Sequence, residues 1–226
     1  MKLIKVTNEL KYAEKSKKLA PIEELYRELN KGKAKEKSRV SITPGFQVRD
    51  EGNKTIKVVD AIRSAIDIDQ PRNIQYCKDE VIKFFKAVDR RIGIPPIARY
   101  GIRSTWIHEY DGSFEELLQK YKESVFNNSI VVENVDDIGV VLDYNIASGK
   151  KNSLTFGPMT IEQLQSQFMS YEIQGISKIM LYTSLDVGDT TTKKFSTEFL
   201  SAFFDKSIKE GERKASEIGT IVGVKK

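Results

Sequence analysis

Stretches in which apolar and polar residues alternate recur along this chain, separated by stretches whose apolar residues return every three or four positions. A chain carrying both periods must build a sheet and cover it with helices. Ile138, Val140, Leu142, Tyr144 and Ile146 alternate with other residues. Ile56, Val58, Ile62, Ile66 and Ile68 share one face of a strand drawn from Thr55 to Ile68. A helical stripe follows over 79–90, with Val81, Ile82, Phe84, Phe85 and Val88, and another over 194–217, with Phe195, Phe199, Phe203, Phe204 and Ile208. Ser113 with Glu116 and Thr160 with Gln163 have capping-box spacing, so each pair opens a helix. Segments 97–110 and 176–187 read as strands.

The predicted fold class is α+β. Two halves, 38–128 and 129–226, each read β-β-α-β-α, with an antiparallel sheet or sheets covered by helices. Ahead of them, residues 7–30 read as a helix on Leu10, Ala13, Leu19, Ile22, Leu25 and Leu29, kinked or restarted at Pro21. A charged connector follows from Lys31 to Lys37. The expected organisation is a basic helical arm and linker over 1–37 and a globular domain over 38–226.

Charge sharpens that division. Residues 1–40 hold twelve Lys and Arg against six Glu, a surplus of +6 in a chain whose net charge is +5, so the remainder is close to neutral. Apolar runs of a few residues fall far short of the roughly 20 that cross a bilayer, and no secretory signal core stands at the start. One cysteine and one histidine cannot make an internal disulfide or a histidine metal cluster. The expectation is a soluble cytoplasmic protein without cofactor or metal. No phosphate loop, glycine-rich dinucleotide turn or nucleophile elbow is present.

Three constellations remain. Cys77 and His108 would be a thiol and its base, but both fall among apolar residues and read as core. Asp67 and Asp69 share a strand face, the arrangement a magnesium ion needs. The most distinctive stretch is Arg99-Tyr100-Gly101-Ile102-Arg103-Ser104-Thr105-Trp106. On a strand it turns Arg99, Gly101 and Arg103 to one face and Tyr100, Ile102 and Trp106 to the core. Two guanidiniums flanking a residue without a side chain can clamp a carboxylate or phosphate, or pair with internal acids.

This Arg-x-Gly-hydrophobic-Arg strand resembles one in a sporadically distributed prokaryotic family of uncharacterised proteins of similar length. The order of elements over 40–217 is also similar, including an aspartate-bearing strand that leads into a long C-terminal helix. Ser104 departs from the family's usual aromatic, and the asparagine that tends to follow is missing. The resemblance implies no mechanism.

The arm supplies candidate contacts to nucleic-acid phosphates at Lys15, Lys17, Lys18, Lys33, Lys35 and Lys37. It lacks the interleaved aromatics that stack on bases. The reading from sequence is therefore a non-enzymatic binding or accessory module acting through a protein or nucleic-acid partner. The alternative is an enzyme or ligand-binding domain for a phosphorylated or carboxylated small molecule at Arg99 and Arg103.

Overall fold

Residues Lys2–Tyr12 set the architecture, and they form a strand, β1. The computed structural model describes residues 1–16, 22–29, 37–42, 45–126, 137–147, 149–191 and 193–224. After β1 come α1 (Ile22–Leu29), β2 (Lys37–Ile42), β3 (Gly45–Asp50), β4 (Thr55–Asp60), β5 (Arg63–Asp69), α2 (Ile74–Ile92) and β6 (Ile97–Glu109). The chain continues through α3 (Phe114–Val125), β7 (Val140–Ala147), β8 (Lys150–Thr160), α4 (Ile161–Phe168), β9 (Ile179–Asp189) and α5 (Thr197–Ile221). The strands make one nine-stranded sheet in the order β2-β3-β4-β5-β1-β6-β9-β8-β7. Every ladder in it is antiparallel.

The fold is α+β as expected, but three expectations need correction. Of the helix expected over 7–30, the part after Pro21 is helical as α1, but its start belongs to a strand: β1 lies between β5 and β6 near the middle of the sheet, so a domain boundary at residue 38 would cut through the core. Its residues Val6, Leu10 and Tyr12 are buried on one face, and Asn8 between them donates to the Tyr100 hydroxyl at 3.0 Å. Segment 55–68 is a hairpin, because the Asp60 carboxylate accepts the backbone N–H groups of Ile62 and Arg63, both at 2.9 Å, and closes a turn there. Ile62 is consequently exposed at the tip. Finally, the second half follows β-β-α-β-α, whereas β2 to β5 give the first half four strands before its helix. Insertion of β1 between β5 and β6, where β8 and β9 are direct neighbours, breaks a twofold repeat.

Two helix starts were legible from their caps: Ser113 with Glu116 and Thr160 with Gln163 form complete capping boxes. Helix α2 starts at Ile74, ahead of the expected Asp79, because Asn73 accepts the Tyr76 N–H at 2.7 Å and caps it there. Helix α2 buries Cys77, Val81, Phe84, Phe85 and Val88, so Cys77 lies inside that helix rather than before it. Helix α5 buries Leu200, Phe204 and Ile208. Phe199 and Phe203 are only partly buried and lie against the Tyr100 ring, 5.7 and 4.5 Å between centroids.

Helices α1, α2, α3 and α5 all pack on one face of the sheet. Close approach there depends on glycine: a Cβ at Gly211 of α5 would fall 2.2 Å from the Ser104 hydroxyl oxygen, and one at Gly219 would fall 2.5 Å from His108 Nε2. On the other face α4 and the segment after it cover one end only. Leu164, Met169 and Ile173 lie there over Ile4, Ile107, Met159, Met180 and Tyr182. Around the middle of β1 and β6 that face is lined by charged and polar residues and glycine. No helix among the described residues is long and apolar enough to cross a membrane.

Candidate functional site

Register dictates what the uncovered face presents. Lys11 stands opposite Arg63 on β5 and Arg99 on β6, so three cations lie side by side across three strands. The next row is Ala65, Glu9, Gly101 and Gly188, and the one after it is Asp67, Thr7, Arg103 and Asp186. Like charges directly opposite one another repel. Glu9 offsets that repulsion as a hub: its carboxylate lies 3.3 Å from Arg63, 3.3 Å from Arg99 and 3.7 Å from Lys11. Asp186 bridges the other pair, accepting from Arg99 at 2.9 Å and Arg103 at 3.0 Å. Asp60 extends the chain at the far end by accepting from Arg63 Nε at 3.1 Å. That bond, with desolvation opposing it and Glu9 assisting, raises the Arg63 pKa further above its ordinary value.

The middle row is a furrow because Gly101 and Gly188 have no side chains. The Arg99 guanidinium lies in it: a Cβ on Gly101 would fall 2.6 Å from Arg99 Nη1, and one on Gly188 would fall 3.4 Å from Arg99 Nε. The Arg-x-Gly-x-Arg spacing thus has a local cause. Arg99 folds along its own strand over the empty position and reaches both Glu9 and Asp186, while Arg103 reaches Asp186 from the other side. The depression lined by Thr7, Glu9, Lys11, Arg99, Gly101, Arg103 and Asp186 has a volume of about 350 Å³.

Exposure decides what the furrow shows to solvent. The side chains of Lys11, Arg63 and Arg103 are 53, 44 and 53 % exposed, against 17, 17 and 20 % for Glu9, Asp60 and Asp186. The carboxylates form the floor and hold the cations by their inner edges, which leaves the outer N–H groups directed to water. Such an arrangement is pre-organised to receive an anionic group. The chain's one histidine, His108, and one cysteine, Cys77, lie on the opposite side of the sheet.

The expected sites fall as follows. Arg99, Gly101 and Arg103 occupy the uncovered face, with Tyr100, Ile102 and Trp106 in the core. Asp186 joins the two arginines, and Asp69 does not. Asp67 and Asp69 do share a face, but Lys5 Nζ stands 3.7 and 3.3 Å from them. The Asp69 carboxylate also accepts the backbone N–H groups of Ser170 and Tyr171, at 2.7 and 3.1 Å, and burial raises its pKa. Cys77 is buried against α2's neighbours and its thiol is pushed up to about 12 by desolvation, while His108 Nε2 lies 3.1 Å from the Ala215 carbonyl. They sit in different parts of the core, so no thiol–imidazole pair forms. Lys15 is exposed in the segment after β1, and Lys37 is the first residue of β2. Lys17, Lys18, Lys33 and Lys35 lie outside the described residues.

Reading the sequence missed Glu9, Lys11 and Arg63. The alternation of Lys5, Thr7, Glu9 and Lys11 with Val6, Leu10 and Tyr12 carried the signal. Comparison with protein-family models and with curated proteins finds no match to this chain.

Proposed function

We propose that this protein is a non-catalytic binding module that docks an acidic polypeptide segment on the uncovered face of its sheet. The observation that carries this reading is the contrast between half-exposed cations and the sunken carboxylates that hold them. Arg63, Lys11, Arg99 and Arg103 span several adjacent strands, a spread that suits an extended chain crossing the sheet better than a small molecule enclosed on all sides. Nucleic acid fits less well. No aromatic ring lines the furrow to stack on bases, and Glu9, Asp186 and Asp67 would repel a continuous phosphate backbone. The resemblance to the prokaryotic family belongs to this proposal too and rests on Arg99, Gly101 and Arg103.

The test is a fluorescence-anisotropy titration of a labelled glutamate-rich peptide, a mixed-sequence single strand and a duplex, at low and moderate salt. The peptide is expected to bind in a salt-sensitive manner and to lose affinity about tenfold or more in Arg99→Ala/Arg103→Ala, in line with loss of charge-assisted hydrogen bonds. Circular dichroism checks that the variant keeps its fold. Equal binding of peptide by wild type and variant, or preference for nucleic acid, sinks the reading.

A further inference from the structure

The two edges of the sheet are built differently. Strand β2 carries Lys37 and Arg39 in its six residues, and lysine and other charges are the usual guards against edge pairing. Strand β7 reads Val-Val-Leu-Asp-Tyr-Asn-Ile-Ala, with Asp143 as its single charge, and that charge is partnered within the sheet by Lys151 at 3.7 Å. Among the described residues, β8 is its one strand neighbour. Val141, Leu142 and Ile146 are 63, 49 and 58 % exposed. They are three of the seven exposed large hydrophobic residues described, gathered on one eight-residue strand. Among the described residues, this edge has no second strand beside it, no guarding lysine or proline and three exposed apolar side chains, a surface built to be covered.

The pattern of β7 also indicates by what. Two copies of an edge strand joined antiparallel are related by a twofold axis perpendicular to the sheet, which keeps residues of one face opposite residues of the same face. Leu142 and Tyr144 are on the helix-bearing face, opposite Leu154 and Asn152 of β8. The ladder slips between Asn145 and Ala147, and Ile146 borders the groove lined by Asn152, Val187 and Ser207, so it stands on that face too. An axis at Asp143 would set two carboxylates against each other. An axis at Leu142 would set Val141 against Asp143 and leave Ile146 beyond the strand. An axis at Tyr144 sets Leu142 against Ile146 of the second copy, Asp143 against Asn145, and Tyr144 against itself. Only this register places apolar against apolar and a carboxylate against an amide.

We propose that β7 is a homodimerisation edge, pairing antiparallel with β7 of a second copy about an axis at Tyr144 to give one continuous sheet. The pairing does not depend on what the furrow binds. It does place both furrows on the same side, with the two β6 strands seven steps apart, or roughly 34 Å at the usual strand spacing.

Sedimentation velocity over a dilution series of the full chain reads the outcome. A concentration-dependent monomer–dimer equilibrium is expected. Leu142→Lys should raise the dissociation constant by about tenfold or more, because an apolar contact is lost twice in a symmetric dimer. Leu142→Lys/Ile146→Glu should restore association, now weakened by salt, since positions 142 and 146 face each other only across the axis. Tyr144→Cys should crosslink to its own copy under mild oxidation, and Asp143→Cys should not; buried Cys77 does not compete. A monomer at every concentration overturns the proposal. So does a dimer indifferent to Leu142→Lys, or crosslinking no faster at position 144 than at 143.

Discussion

Replacing Gly211 of α5 by alanine pits two effects of opposite sign against each other. Away from tertiary contacts, alanine in a helix interior is favoured over glycine by about 1 kcal/mol. In this helix the new methyl would fall 2.2 Å from the Ser104 hydroxyl oxygen and 3.0 Å from Trp106 Nε1. Neither neighbour is free to swing aside, because both are buried and Trp106 donates to that hydroxyl at 3.1 Å. The helix must move out by about 1 Å or the hydrogen bond must break, and overpacking of this kind costs about 1–3 kcal/mol. The net expectation is a loss of up to about 2 kcal/mol, read as a lower urea midpoint at unchanged slope. Ser104→Ala removes the clashing oxygen, and its Cβ would stand 3.4 Å from the new methyl, an ordinary contact. Alone, that change leaves the indole N–H without an acceptor and costs about 1–3 kcal/mol. The two changes together should therefore cost less than their sum by about 1 kcal/mol. A stabilised Gly211→Ala protein, or additivity within about 0.5 kcal/mol, would refute close packing of α5 on β6.

Gly101→Ala should leave stability within about 0.5 kcal/mol of wild type, since its methyl meets only the movable end of Arg99 and glycine's chain entropy is relieved. It should nonetheless weaken peptide binding by lifting that guanidinium from the furrow; unchanged affinity by anisotropy contradicts the role given to Arg99. Burial pushes Cys77 up from 9.0, and Tyr12 and Tyr171 up from 10.0, each to about 12. Between those values the folded chain keeps protons that the unfolded chain releases, so stability is full below about pH 9 and falls as pH rises toward 12; a flat urea midpoint across that range would count against the burial of these groups. Removal of residues 1–12 should abolish cooperative unfolding, because β1 supplies ladders to both β5 and β6. A folded truncation product by circular dichroism and calorimetry would show that the sheet closes without it.

The helices were legible because their signals are local. Ser113 and Thr160 cap their own first turns, and each apolar stripe repeats within one element; the Asn73 cap of α2 was overlooked because the stripe itself begins later, at Val81. The faces of β6 were legible for the same reason: Tyr100, Ile102 and Trp106 declare the core, and Arg99, Gly101 and Arg103 the reverse. Strand β1 was not, because its inward face includes Asn8. That amide is tolerated by a hydrogen bond to Tyr100, a residue 92 positions away that no local period reveals. With β1 read as a helix, Glu9 and Lys11 could not be set beside Arg99, and the furrow lost its hub. The hairpin at Asp60 was missed because isoleucines on either side of it kept an unbroken strand rhythm through the turn. An aspartate ahead of two free N–H groups was the cue to stop.

The position of β1 also shapes how this molecule comes into being. Made before either neighbour, it has to wait while β5 and then β6 are synthesised, since Val6 pairs with Ile68 on one side and Ser104 on the other. During translation its apolar residues remain without their final cover, and neither the β2–β5 meander nor the β7–β9 unit can join the other through an intact sheet until it is inserted. Contacts so distant in sequence make closure slow and leave partly assembled chains with unpaired strands. Insertion of β1 can be completed only once residue 109 has been made, and a chaperone that shields nascent Leu3, Val6 and Leu10 until then would raise the yield more than one acting on the finished C-terminal helix.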